Sequence, residues 1–135
     1  MVVLAQREQQ GGMMRILLAE DDPNISVIAK LALEKLGGFE VTVVHDGEMA
    51  LQTALSQEFD LILLDEMMPK MNGLRVCQEY KANCPSPRPI IFLSAKSQES
   101  DIREFNDNGI GFIPKPFDPT KLPAQIHELL SKAAA

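Results

Sequence analysis

The chain has 135 residues, with 13 basic against 19 acidic side chains for a net charge of −6, 45 % apolar residues, two cysteines and no tryptophan. A chain of this size forms one domain and buries roughly two-thirds of its unfolded surface, so no cross-link is needed to hold a core. The acidic balance, without a Lys/Arg run, argues against direct binding of nucleic acid or of an anionic membrane. No apolar stretch approaches the ~20 residues of a bilayer span, and the N-terminus lacks the basic flank of a signal peptide. Cys77 and Cys84 have no His or Cys near enough to complete a metal site, and they read as reduced thiols in a cytoplasmic setting.

Residues 1–13 join a short apolar patch to a polar, glycine-punctuated stretch with no period of 2 or 3.6, which predicts a flexible leader. The first strand is expected over 15–19 and the first helix from Pro23 to about Leu36. Asp22 suits its N-cap and Pro23 its first position; Ile25, Ile28, Ala29, Ala32 and Leu36 recur at helical spacing, and Gly37-Gly38 ends it. A second strand over 40–44 leads to a helix over about 47–56 opened by Asp46. The third strand, 61–64, is followed by a helix over about 73–83 opened by Asn72.

The fourth strand, 90–93, leads to a helix over about 98–108, with Ser97 as its opening residue and Ile102 and Phe105 facing inward. The fifth, 111–114, contains Pro114, which a strand at the edge of a sheet tolerates. In the last helix, ending near Lys132, Pro123 must lie in the first turn or the helix begins near 122. Only a tail of 133–135 follows, so the chain is expected either to act by touching another molecule or to be a fragment of a longer protein.

Short, continuously apolar strands alternating with amphipathic helices predict an α/β fold. It is a five-stranded parallel sheet of order 2-1-3-4-5 with helices on both faces, the flavodoxin-like doubly wound arrangement. Its topological switch point lies between the first and third strands, and chemistry is expected at their C-terminal ends.

Those ends carry Glu20-Asp21-Asp22-Pro23 and Asp65-Glu66-Met67-Met68-Pro69. Crowded carboxylates repel one another, and Mg²⁺, which prefers oxygen ligands, is a natural counter-charge. The alternative for the first group is plain helix capping, and for Asp22 that role before Pro23 is sufficient. Asp65 alone would read as a turn residue. Beside a metal with an open in-line approach, it can accept a phosphoryl group as an acyl phosphate. The fourth strand ends in Ser94 and the fifth leads into Lys115. A hydroxyl and an ammonium can each engage a phosphoryl oxygen, although singly each is more often a turn residue or a solvated cation. It is their convergence with the two acidic groups that points to a site. A cis Lys115-Pro116 bond would aim the lysine inward.

Over residues 14–132 the sequence closely resembles the receiver domains of two-component response regulators. The matching motifs are Ile16-Leu17-Leu18-Ala19-Glu20-Asp21-Asp22-Pro23, Asp65-Glu66-Met67-Met68-Pro69-Lys70-Met71-Asn72-Gly73, Ser94-Ala95 and Lys115-Pro116-Phe117. The resemblance implies that Asp65 accepts a phosphoryl group from a phosphohistidine on a sensor histidine kinase or a phosphotransfer protein, with Mg²⁺ required. It further implies that Asp21 ligates the metal directly, Glu20 holds it largely through water, Asp65 gives a side-chain oxygen and Met67 a backbone carbonyl. Ser94 would hydrogen-bond the phosphoryl group and Lys115 pair with it. Phe112 falls at the switch aromatic position and would turn inward as Ser94 is drawn over. The surface of the fourth helix, fifth strand and fifth helix would then change toward a downstream protein, or toward a second copy in a phosphorylation-dependent homodimer.

The chain departs from the family pattern at Asn72 in place of Asp, in a connection one residue shorter into the fifth strand, at Pro114, and in the missing hydroxyl of Phe112. A switch signal rather than enzymatic turnover is expected. A haloacid-dehalogenase-type Mg²⁺ phosphatase would need an acid two residues after its nucleophile, where Met67 stands. A flavodoxin-type cofactor module would need a phosphate loop after the first strand, which is absent. A receiver-like scaffold that is never phosphorylated is the remaining alternative, and Mg²⁺ binding discriminates it.

Overall fold

The structure is a computed structural model, and it describes residues 13–134. Five strands and five helices alternate. They are β1 (Arg15–Ala19), α1 (Pro23–Lys35), β2 (Glu40–Val44), α2 (Gly47–Ser56), β3 (Leu61–Asp65), α3 (Gly73–Asn83), β4 (Ile90–Ser94), α4 (Glu99–Asn108), β5 (Gly111–Pro114) and α5 (Leu122–Ala134). The strands form one parallel sheet in the order β2-β1-β3-β4-β5, as the alternation of elements predicted.

The apolar runs of the central strands divide between the two faces because successive side chains point to opposite sides. Ile16, Leu18, Leu61, Leu63, Ile91, Leu93 and Ile113 pack with Ala29 and Leu33 of α1 and with Leu122, Ile126 and Leu130 of α5. Leu17, Ala19, Ile62, Leu64, Ile90 and Phe92 meet Ala50 and Ala54 of α2, Val76, Cys77 and Tyr80 of α3 and Phe105 of α4. With both faces covered, every residue of β3 and of β4 is buried.

Three helix starts use the side chains expected of them. Asp22 accepts from the N–H groups of Asn24 and Ile25 at 2.8 and 3.3 Å, Asp46 from Met49 at 2.8 Å and Asn72 from Arg75 at 2.9 Å. Each satisfies a backbone donor that the first helical turn leaves without a partner. The chain leaves α1 through Gly38 at φ +69°, a left-handed conformation that glycine adopts freely.

The structure corrects three local expectations. Gln98, not Ser97, holds the N-cap of α4, and it makes no side-chain cap bond. On α1 the buried residues are Ser26, Ala29, Ala32 and Leu33, whereas Ile28 and Leu36 are 49 % and 61 % exposed. The stripe meeting the sheet runs along Ser26, Ala29, Ala32 and Leu33, whose three small residues let the helix approach closely, and Ile28 is left outside it. On α4 only Phe105 is buried; Ile102 is half-exposed. The last helix begins at Leu122 with Pro123 in its first turn and continues to Ala134. The leader expected over 1–13 lies outside the described residues apart from Met13. Both cysteines are free, Cys77 buried and Cys84 partly so. No helix among the described residues is long and apolar enough to cross a membrane.

Candidate functional site

The parallel sheet delivers its chemistry to one edge. β1 and β3 lie side by side with Ala19 opposite Leu64, so the residues that follow, Glu20 and Asp65, emerge as neighbours. On the other side β3 pairs with β4 and places Asp65 opposite Leu93, one residue before Ser94. β4 in turn pairs with β5 and sets Ser94 opposite Pro114, one residue before Lys115. The separation in sequence is large, yet the register alone brings the four strand ends together.

They line a single cleft of about 390 Å³, bordered by Glu20, Asp21, Asp65, Met67, Ser94 and Lys115 among others. Glu20, Asp21 and Asp65 each offer a carboxylate oxygen within 4.8 Å of the other two. The Lys115 ammonium reaches in to 2.7 Å from Glu20 Oε1 and 3.2 Å from Asp65 Oδ1. Its peptide bond to Pro116 is cis, and the Lys115 N–H donates to the Ser94 carbonyl at 2.8 Å. Glu20 is fully buried, Asp65 and Ser94 nearly so, and Asp21 is exposed at the mouth.

Local backbone bonds fix these groups. Glu20 Oε2 accepts the Asp22 N–H at 3.0 Å, and the Glu20 carbonyl receives His45 Nδ1 at 3.0 Å. Asp65 Oδ1 accepts the Met67 N–H at 3.3 Å. Gly73, opening α3, stands so close beneath the site that a Cβ there would lie 2.6 Å from the Asp65 carbonyl oxygen. Ser94 Oγ accepts the Lys96 N–H at 3.0 Å, which leaves its own hydrogen free to donate. Phe112 lies opposite Phe92 in the sheet, half-buried, with its ring 5.5 Å from that of Phe105.

Burial first, then the hydrogen bond and charge of Glu20, push the Asp65 carboxyl up to about 7 against the opposing pull of Lys115. Burial acts to lower the Lys115 ammonium, but its contact with Glu20 and the charge of Asp65 outweigh this, and its pKa is raised. Glu20 and Asp65, both buried, thus share one lysine, with the exposed Asp21 carboxylate beside them at the mouth. A hard divalent cation with oxygen ligands fits this donor set.

Two side chains at this edge carried no assigned role in the sequence. Glu66, next to the central aspartate, is 3 % exposed, and Lys96 stands 3.2 Å from its Oε2. An acid directly after Asp65 was visible in the sequence. Its burial was not, because it depends on the approach of the β4–α4 loop.

The five-stranded doubly wound sheet thus gathers three acids, a hydroxyl and a lysine in one cleft at the C-terminal ends of its strands. The family model for the response regulator receiver domain matches residues 16–127, and the chain belongs to that family. Response regulator ArlR of Staphylococcus saprophyticus is 39 % identical over 121 residues, covering 89 % of this chain and 54 % of the relative. Transcriptional regulatory protein CpxR of Escherichia coli K12 is 37 % identical over 122 residues, covering 90 % and 51 %. The chain therefore spans about half the length of the curated relatives it matches.

Among solved structures, the receiver domain of sensor histidine kinase PA1611 from Pseudomonas aeruginosa PAO1, with a magnesium ion coordinated in its active-site cleft, is 30 % identical. Its TM-score is 0.78, over 89 % of this chain and 99 % of that one. The BeF3-activated DrrB receiver domain is 26 % identical, with a TM-score of 0.75 over 88 % and 98 %. Residues 16–127 are thus a receiver domain of the kind found in bacterial two-component response regulators.

Proposed function

We propose that residues 14–132 act as a phosphorylation switch in which Asp65 is the acceptor. The observation that carries this is the meeting of Asp65 with Glu20, Asp21, Ser94 and Lys115 in one cleft. An Asp65 carboxylate oxygen attacks the phosphorus of a phosphohistidine on a sensor kinase or phosphotransfer protein. The P–N bond breaks, its electron pair stays on the donor imidazole, which takes up a proton from solvent, and an acyl phosphate remains on Asp65.

Glu20, Asp21, Asp65 and the Met67 carbonyl would hold Mg²⁺, which when bound supplies neutralising charge for the phosphoryl oxygens. The exposed Met67 side chain needs no polar role there. Lys115 and the Ser94 hydroxyl are the donors for the oxygens of the transferred group, whose charge of about −2 is roughly twice that of the carboxylate it replaces. As Ser94 is drawn toward it, the loop after β4 follows and Phe112 packs deeper against Phe105. The face formed by α4, β5 and α5 then changes for a downstream protein or a second copy of the chain.

The donor protein has a seat beside the cleft. An apolar groove of about 290 Å³, lined by Ile25, Ile28, Pro116, Phe117 and Pro119, shares Lys115 and Ile25 with the phosphorylation site. Ile28, left outside the core, thus borders the path along which a phosphohistidine would approach.

Incubation with acetyl phosphate and Mg²⁺ should add one phosphoryl mass, labile to base, to the wild-type chain and none to Asp65→Asn. Undiminished labelling of the variant would place the acceptor elsewhere. Wild-type protein that binds no Mg²⁺ and takes up no label would instead be a scaffold.

A further inference from the structure

The end of β3 and the loop after β4 are tied to each other by one side-chain contact whose two ends differ in freedom. Glu66 belongs to the fixed part. Its N–H donates to the Leu93 carbonyl at 2.9 Å, and its own carbonyl accepts the Gly73 N–H at 2.9 Å. Gly73 in turn is packed against the Asp65 backbone with no space for a side chain. The Glu66 side chain is 4 % exposed; among the described residues its Oε2 accepts no hydrogen bond and has the Lys96 ammonium, 3.2 Å away, as its ion-pair partner.

Lys96 belongs to the movable part. Residues 95–98 are all exposed, and α4, which they lead into, buries one side chain and starts without a capping bond. The same residue holds the Ser94 hydroxyl in place, because the Lys96 N–H donates to Ser94 Oγ. A carboxylate kept from water needs its counter-charge, so the Lys96 ammonium is drawn down onto a point that cannot follow it.

We propose that the Glu66–Lys96 pair is a latch that holds the loop after β4, and with it Ser94, in the resting position. This rests on the reading of Asp65 as phosphoacceptor. Glu66 and Lys96 are positioning residues: they act on the phosphoryl group through Ser94. Movement of Ser94 toward the phosphoryl group must stretch or break the pair, which leaves Glu66 without its partner and so sets a threshold against activation.

A simple field effect makes a different forecast. By charge alone, removal of Lys96 would weaken the binding of an anion in the cleft. By the latch, it strengthens it, since Glu66 then lacks a partner in both positions and the resting state loses its advantage. The probe is beryllofluoride with Mg²⁺, titrated calorimetrically into the wild-type chain, Glu66→Gln, Lys96→Gln, the double variant and Lys96→Arg. The latch requires Lys96→Gln and the double variant to bind about two- to fivefold more tightly than wild type, the range of one partly screened ion pair, and Lys96→Arg to resemble wild type. Unchanged or weaker binding by Lys96→Gln overturns it.

Amide hydrogen exchange of residues 95–98 without any phosphate analogue supplies a second measurement. Both single Gln variants should exchange faster there and remain unchanged in β3; equal rates in the loop also overturn the latch. This arm needs no phosphorylation. Wild-type protein that fails to bind beryllofluoride therefore counts against Asp65 as acceptor, while the exchange result still judges the pair.

Discussion

Strand β3 has an aspartate at each end, and the two are equally hidden but differently served. Asp60, just before the strand, is fully buried, and its carboxylate accepts the Arg15 N–H at 2.8 Å while its own N–H donates to the Arg15 carbonyl. Asp65, closing the strand, is 3 % exposed and faces two further carboxylates with one lysine among them. At the N-terminal edge of a parallel sheet a buried acid meets unpaired backbone N–H groups and is a structural bolt. At the C-terminal edge it meets carbonyls and other acids, and its charge stays partly uncompensated until a ligand arrives. Burial of a carboxylate thus says little by itself; the partners supplied by the local strand polarity decide whether it stabilises the fold or waits for chemistry.

The largest effect that separates the two ends is chemical. Asp65→Asn should abolish phosphorylation by acetyl phosphate while Asp60→Ala should leave it in place, as read by intact mass. Their stabilities should move in opposite directions. Asp65→Asn removes a carboxyl that burial and Glu20 hold near 7. It should gain on the order of 2 kcal/mol at pH 8 in the absence of divalent ions, because the deprotonated, poorly solvated carboxylate is gone. Asp60→Ala leaves the Arg15 N–H without its acceptor and should lose about 2 kcal/mol at any Mg²⁺ concentration. Urea unfolding of both variants measures the contrast.

Removing the lysine instead of the acid sharpens the comparison. Lys115→Ala leaves Glu20, whose side chain is 1 % exposed, without the cation 2.7 Å away, and should cost about 3 kcal/mol without metal. Mg²⁺ should restore much of that loss. The variant should still accept a phosphoryl group, yet binding of its downstream partner should no longer depend on it.

The pH dependence has a definite sign. Asp65 binds its proton more tightly in the folded chain, about 7, than at the ordinary value of 3.8. Its contribution to stability is therefore complete below about pH 4 and is lost as pH rises through about 7. In EDTA the urea midpoint should fall across this window, and Asp65→Asn should flatten the fall. In Mg²⁺, which binds the deprotonated acid, the loss should diminish or reverse. A wild-type midpoint that rises over the same interval without metal would contradict the raised value.

Much of this edge was legible in the sequence. The alternation of apolar runs and helices dictated the parallel sheet, the order followed from the common winding of five such units, and the strand ends could be read off the last apolar residue of each run. That order and those strand ends put Glu20, Asp65, Ser94 and Lys115 in one neighbourhood, and they line one cleft. Features that depend on how closely elements approach were not legible. Helical spacing cannot say whether Ile28 or Ala29 faces the sheet when both lie near the boundary of one stripe, and close contact selected the smaller. Glu66 and Lys96 are separated by β4 and its approach, so no local pattern joins them. Gln98 takes the cap of α4 without a side-chain bond, so propensity favoured its neighbour Ser97.

The misplaced aliphatic on α1 gives the smallest test, and it bears on the same contrast between groups that hold the fold and groups that face a ligand. Ile28 is 49 % exposed and borders the apolar groove beside Lys115 and Pro116. Truncation to Ala in a half-exposed helical position removes little buried area and improves helix propensity, so stability should stay within about 0.5 kcal/mol of wild type. If the groove seats the donor, the rate of phosphoryl transfer from a phosphorylated kinase or phosphotransfer protein should nevertheless fall several-fold, because a partly buried aliphatic contact near the reacting group contributes on the order of 1 kcal/mol. A stability loss above 2 kcal/mol would return Ile28 to the core stripe that its spacing first suggested. An unchanged transfer rate with unchanged stability would move the donor's seat away from α1, to the side of the cleft bordered by Met67, Pro69 and Lys96.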